Sequence, residues 1–149
     1  MTAAHTINAV LDRKGRDTYS LPPDAMVFDA IRLMAENSVG ALLVMENQQL
    51  VGIVSERDYA RKVILRGKLS KQTPVWEIMS SPVHYVDPDC TVEEAMGVMA
   101  TYRIRHLPVL DAGRLVGMVS IGDLVRSIVD EQAATIEQLH AYITGQYPG

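Results

Sequence analysis

Cys90 is the only cysteine in the chain. No intrachain disulfide can form, and no cysteine-based zinc site can be assembled. A redox-sensing thiol needs a basic neighbour to stabilise its thiolate. None lies near Cys90 in sequence, so Cys90 reads as a small residue at a helix start between Asp89 and Thr91. Aromatic residues are scarce, with one Phe and one Trp, and the net charge is −4. Without an aromatic stacking pattern or a basic surplus, the chain has no expected affinity for nucleic acid or for an anionic membrane. No apolar run approaches the roughly 18 residues needed to span a bilayer. The first residues carry no signal-peptide pattern either, and a cytoplasmic protein is the expectation. Catalytic signatures are missing as well. His5, His84, His106 and His140 are scattered, with no HExxH pair, P-loop, Rossmann glycine fingerprint or G-x-S-x-G elbow, and Ser55 with Asp58 has no adjacent base. Neither a catalytic metal nor enzymatic turnover is expected.

What is present is ordinary in bulk and unusual in order. Hydrophobic residues make up 48% and charged residues 21% of 149 positions, enough for one compact domain or two small units sharing a core. Shifting the sequence by about 65 residues lays Pro23-Asp24 on Pro88-Asp89 and Met34-Ala35 on Met99-Ala100. The same shift lays Leu50-Val51-Gly52 on Leu115-Val116-Gly117, Val54-Ser55 on Val119-Ser120, and Asp58 on Asp123. Roughly a third of the aligned positions are identical without a gap, which identifies a duplicated unit.

Both copies predict the same elements. Thr18 to Leu21 and Val83 to Val86 read as short strands ending in proline-containing turns. A helix follows each, with Val27, Ala30, Ile31 and Met34 on one apolar face and Val92, Ala95, Met96 and Met99 repeating it. Thr91 and Glu94 form a capping box. Two apolar runs separated by a short polar turn then predict a hairpin in each copy, Ala41–Met45 with Leu50–Val54 and Leu107–Leu110 with Leu115–Val119. A last helix starts near Glu56 or Ile121. The second of these is expected to reach about Ile143, with Ile128, Ala134, Ile136, Leu139 and Ile143 as apolar contacts. Thr6 to Lys14 reads as a leading helix, and Tyr147-Pro148-Gly149 as a frayed end. The unit is β-α-β-β-α, near the lower size limit for independent stability, so the two copies are expected to share a buried interface.

Asp58 and Asp123 each lie three residues after a serine at a strand-to-helix junction. Two readings of these pairs stand side by side. Ser with an acidic residue three positions on is a helix-capping arrangement. A carboxylate there can equally accept two hydrogen bonds from a ribose diol, with Ser55 or Ser120 and free backbone N–H groups nearby for a phosphate.

With these features, the chain resembles the CBS domain family. The resemblance rests on the tandem unit, on Arg105-His106-Leu107-Pro108-Val109, and on the paired segments Gly52 to Asp58 and Gly117 to Asp123. It implies an α/β fold in which two pseudo-symmetric β-α-β-β-α motifs pack as one module. The expected divisions are a leading arm at 1–17, the first motif at 18–70, a connector at 71–82, the second motif at 83–135 and a helix end with tail at 136–149. The resemblance also implies two clefts that bind adenosine-containing ligands. One would join Ser120, Ile121 and Asp123 to Tyr19, Val39, Gly40 and Ala41; the other would join Ser55, Arg57 and Asp58 to His84, Ile104, Arg105 and His106. AMP is the expected ligand, with NAD or ATP as further possibilities. A homodimer and a regulated partner protein complete the implication; the competing reading is an interaction scaffold with empty clefts.

The copies differ where phosphate would sit. Arg103, Arg105 and His106 replace Ser38, Gly40 and Ala41. Guanidinium forks suit a phosphate, while a surface basic stretch, or a buried His106 bonded to a carbonyl, is the plainer reading. Arg57, Arg61, Lys62 and Arg66 form a second basic group that reads as a solvated helix face. The methionines at periodic positions are core fillers. Pro108 falls where the first copy has Leu43, so the two strand starts are expected to differ in shape.

Overall fold

The computed structural model describes residues 5–143. Thr6 accepts from Ala9 N at 3.2 Å and starts helix α1, Ile7–Lys14. Strand β1 is Ser20–Leu21, and helix α2 covers Val27–Asn37. The first hairpin is β2, Ala41–Glu46, with β3, Gln49–Ser55. Helix α3, Glu56–Tyr59, runs into a π-helical turn at Ala60–Ile64. After a 3-10 turn at Val75–Glu77, the second copy gives α4, Val92–Tyr102, and the hairpin β4, His106–Asp111, with β5, Arg114–Ser120. Helix α5 spans Ile121–Ile143.

The duplication is visible down to its irregularities. In both hairpins the register slips at the same place, between Val44 and Met45 and between Val109 and Leu110. The tight turns use positive φ at equivalent positions, Asn47 and Gln48 in one and Ala112 and Gly113 in the other. That conformation matches the twist of two-residue hairpins. The predicted helical faces are the core faces, with Val27, Ala30 and Met34 buried in one copy and Val92, Ala95 and Met99 in the other.

Two expectations need correction. Val83 to Val86 is not a strand: only Val86 bridges to Val109, whereas β1 pairs with β2 in parallel through Ser20–Leu43 and Leu21–Val44. In the first copy Leu43 N donates to Tyr19 O at 3.0 Å. Pro108 occupies the matching position and has no N–H to give, so the second copy loses that ladder bond. The last helix of the first copy starts at Glu56 as expected and turns from α-helical to π-helical after Tyr59. Finally, of the contacts expected along α5, Ile128 packs on the second core, but Ala134, Ile136, Leu139 and Ile143 are exposed. A helix of 23 residues is about 34 Å long and outruns the core beneath it.

Two cores result, and each is completed from outside its own copy. The second is closed by α1, whose Ile7 and Leu11 are fully buried among Val92, Leu107 and Val119. The first is closed by Val75 and Ile78 from the segment between the copies. The two closures are built alike. Ile7 N and Asn8 N donate to Cys90 O and Pro88 O at 2.8 and 2.9 Å; Val75 N and Trp76 N donate to Ala25 O and Pro23 O at 2.8 and 3.0 Å. Among the described residues no helix is long and apolar enough to cross a membrane.

Candidate functional site

Both Ser/Asp pairs realise the capping geometry. Ser55 Oγ accepts from Asp58 N at 3.2 Å while Ser55 N donates to Asp58 Oδ2 at 2.9 Å. Ser120 and Asp123 repeat the exchange at 3.1 and 2.8 Å. Capping leaves acceptor capacity, because a carboxylate offers about four lone-pair sites. On Asp58, Oδ2 also takes the Ser55 hydroxyl at 3.0 Å, and Oδ1 lies 3.1 Å from Lys62 Nζ.

A cleft of about 520 Å³ opens between the two motifs at Asp58. From the first motif come Gly40, Ala41, Ser55, Glu56, Arg57, Asp58, Arg61 and Lys62; from the second come His84, Tyr102, Arg103, Ile104, Arg105 and His106. Every residue of the set expected around Asp58 is thus brought together, with the phosphate candidates Arg103, Arg105 and His106 in the same wall. The volume falls within the roughly 300–1,000 Å³ usual for small-molecule sites.

Local structure explains how the side chains reach it. Arg103 ends α4 in the left-handed conformation, at φ 55°, as Ser38 ends α2 at φ 54°. That turn projects Arg103 to Arg105 across the first motif, where Arg57 Nη1 donates to Arg103 O at 3.2 Å. Gly40 keeps the junction narrow: a Cβ there would lie 3.1 Å from Glu56 Oε1 and 3.5 Å from His106 Cε1. His84 stacks on Tyr102 with ring centroids 3.7 Å apart and planes 16° off parallel. Burial pushes the His106 pKa below its ordinary value; Asp123 pulls it up, while Lys14 and Arg105 push it down.

The cleft is strongly cationic within an acidic chain. Arg57, Arg61, Lys62, Arg103 and Arg105 face only Glu56 and Asp58 as fixed opposite charges. Sequence reasoning treats Arg61 and Lys62 as a solvated face; both line this cleft, Lys62 half-buried and Arg61, like Arg66, exposed. It missed Glu56 and Tyr102 altogether. Tyr102 is the last residue of α4, one step before Arg103, and that adjacency was the available signal.

The residues of the set expected around Asp123 line the walls of different cavities. Asp123 lines a smaller cavity, of about 270 Å³, with Val10, Arg13 and Lys14 of α1 and Arg126, Ser127 and Asp130 of α5. Gly40 and Ala41 face the Asp58 cleft instead, Val39 lines a shallow hollow beside α2, and Tyr19 packs against the first core. Ser120 and Ile121 remain at the start of α5, where Ile121 N donates to Arg105 O at 2.8 Å. Lys14 covers one oxygen of Asp123: its Nζ donates to Asp123 Oδ2 at 2.7 Å and to Met118 O at 2.8 Å. Burial alone would raise the Asp123 pKa; the Lys14 ammonium and the Ser120 donors outweigh it and hold the carboxyl below its ordinary value.

Among the described residues no cluster of His, Cys, Asp and Glu could hold a metal ion. Burial, then the carboxylates of Glu94 and Asp87, push the Cys90 thiol up to about 11, which disfavours a reactive thiolate.

Comparison with known proteins agrees with this architecture. The model of the CBS domain matches residues 12–65 and again 75–130. A mitochondrial CBS domain-containing protein of Arabidopsis thaliana, CBSX3, is 42% identical over 95% of this chain and 73% of its own length. The structure of a signal-transduction protein with CBS domains from Burkholderia ambifaria superposes with a TM-score of 0.83 at 49% identity, covering 85% of this chain and 96% of that one. The CBS domain pair of protein MJ0100, solved with 5′-methylthioadenosine and S-adenosylmethionine, shares the fold, with a TM-score of 0.75 at 23% identity over 85% of this chain and 97% of that one. Duplicated units, paired hairpins and the cleft between them are accounted for together: the chain belongs to the CBS domain family.

Proposed function

We propose that this CBS pair is a regulatory module that binds an adenine nucleotide in the Asp58 cleft. AMP is the first candidate, with ATP and NAD next, and occupancy is passed to a partner protein through a change in packing. The carrying observation is the charge of the cleft: five Lys and Arg side chains against two carboxylates, in a chain whose net charge is −4. Cations converging on a concave surface favour phosphate oxygens, and guanidinium forks do so in pairs. The same field opposes a sulfonium, so a phosphate-bearing ligand suits this cleft better than the S-adenosylmethionine held by the MJ0100 pair. Asp58 is the ribose acceptor in this reading, and the His84–Tyr102 stack offers a flat apolar surface near the adenine. Any switch requires the ligand to favour one packing over another.

Isothermal titration of nucleotide-stripped protein with AMP tests the reading. Wild type should bind saturably and Asp58→Ala should lose at least tenfold in affinity, the loss of one charge-assisted diol contact being worth about 1.5–3 kcal/mol. A flat wild-type trace with AMP, ATP and NAD alike would leave the cleft empty and make the chain an interaction scaffold.

A further inference from the structure

Both Ser/Asp pairs meet a lysine in the same way. In the first copy Lys62 Nζ lies 3.1 Å from Asp58 Oδ1 and donates to Ile78 O at 2.9 Å. In the second, Lys14 Nζ donates to Asp123 Oδ2 and to Met118 O. The two aspartate side chains are equally enclosed, at 14% and 13% exposed. The lysines approach from opposite sides. Lys62 stands in the π-helical turn of its own motif and reaches out to the segment that closes the first core. Lys14 belongs to α1, which closes the second core, and reaches in. Sequence does not repeat here, since Ser127 takes the place of Lys62. What repeats is the link: one ammonium joins the aspartate of each motif to the outside segment that closes its core.

We propose that Lys62 is a latch that couples the Asp58 cleft to the connector between the motifs. The inference rests on the nucleotide reading above and adds to it the moving part. Ile78 is 1% exposed, and among the described residues no backbone N–H donates to its carbonyl. Lys62 is the donor it has. A phosphate in the cleft is a stronger acceptor for an ammonium than a neutral carbonyl is. A nucleotide that draws Lys62 toward itself leaves the Ile78 carbonyl unpaired, and an unpaired buried acceptor disfavours the present seat of the connector. The ligand then favours a second seating of this segment, which is the differential any switch requires. The connector is placed to carry that shift outward. At one end Ser80 and Pro82 line the cleft. At the other, Val75 N and Trp76 N hang on Ala25 O and Pro23 O. Trp76 is 55% exposed and lies outside the cleft lining. A change at Trp76 is therefore open to a partner protein and is not contact with the ligand.

Trp76 is the only tryptophan of the chain, so its fluorescence reads the connector alone. Acrylamide quenching of wild type and Lys62→Met, without AMP and at a saturation fixed by titration calorimetry, tests the latch. Methionine keeps much of the apolar stem and removes the ammonium. Because Lys62 lines the cleft, the variant should bind AMP more weakly. Saturating AMP should shift Trp76 quenching in wild type. Lys62→Met should show the shifted quenching before AMP is added, and AMP should move it no further. Calorimetric binding by wild type with Trp76 unmoved overturns the latch while the nucleotide reading stands. So does a Lys62→Met protein that starts at the wild-type value, or whose Trp76 still responds to AMP. No binding of AMP, ATP or NAD by wild type overturns both. If Lys62→Met proves unfolded by circular dichroism, hydrogen exchange of wild type alone decides. AMP should speed exchange at the amides of Val75, Trp76 and Ser80, and unchanged exchange there overturns the latch.

Discussion

Arg103 holds a left-handed backbone at φ 55°, a conformation that costs an ordinary L-residue about 1–2 kcal/mol and suits glycine. Its side chain lies in the cleft wall and its carbonyl takes Arg57. Stability and binding therefore pull against each other at this position. Arg103→Gly should raise the unfolding free energy by about 1 kcal/mol in urea and weaken AMP binding several-fold. A variant that binds AMP as well as wild type would remove Arg103 from the ligand's reach, and one that loses stability would overturn the strain argument. The Ser/Asp pairs carry a related lesson. Both roles were legible in the sequence, but spacing alone could not say which one the structure uses. The geometry displays capping in both copies. Whether a carboxylate also meets open space depends on a residue in the other half of the chain, or in α1, which no local pattern reports.

Among the elements, the repeat was the most legible feature because identical residues mark identical packing. Gly52 and Gly117 are the clearest instance. A Cβ on Gly52 would overlap the Met79 side chain and come within 3.2 Å of the Met79 Cβ; on Gly117 it would lie 2.8 Å from Leu11 Cδ2. Each glycine thus makes room for the segment that closes its core from elsewhere. Gly52→Ala should destabilise by about 1–3 kcal/mol through overpacking. Gly117→Ala should cost less, since the tip of a leucine can turn aside. Urea unfolding of the two variants checks the order, and equal costs would contradict it. The closing segments themselves were not legible as partners. Leu11 and Met79 share no residue identity and stand at a different offset from the rest of the repeat, so no alignment of the copies pairs them. The missing second strand was half legible: Pro108 was visible as a departure, but the bond it removes appears only once Tyr19 and Leu43 are seen to meet.

At the scale of the whole molecule, α5 leaves the body with one side bare. Val125, Val129, Ile136, Leu139 and Ile143 are 45–79% exposed and recur every three, four or seven residues, the spacing of a helix seam. The acidic Asp130, Glu131 and Glu137 stand off that line. A second copy of the chain carries the same seam, and we propose that the homodimer expected from the family resemblance forms through it. Sedimentation velocity at micromolar concentration should give a dimer, and Ile136→Asp with Leu139→Asp should shift it to monomer. A wild-type monomer would leave the seam to some other protein.

The exchange of closing segments has a consequence for how the chain is made. Synthesis runs from the N-terminus, so α1 emerges before either motif, yet the carbonyls of Pro88 and Cys90 that receive Ile7 and Asn8 emerge only after the whole first motif. During translation α1 is a segment whose apolar residues Ile7 and Leu11 have no seat. The first motif, by contrast, obtains its own closure as soon as Val75 and Ile78 leave the ribosome. The duplicated halves, alike in elements and register, are therefore not alike in time: one is finished locally, and the other waits for a segment made before either of them to return to it.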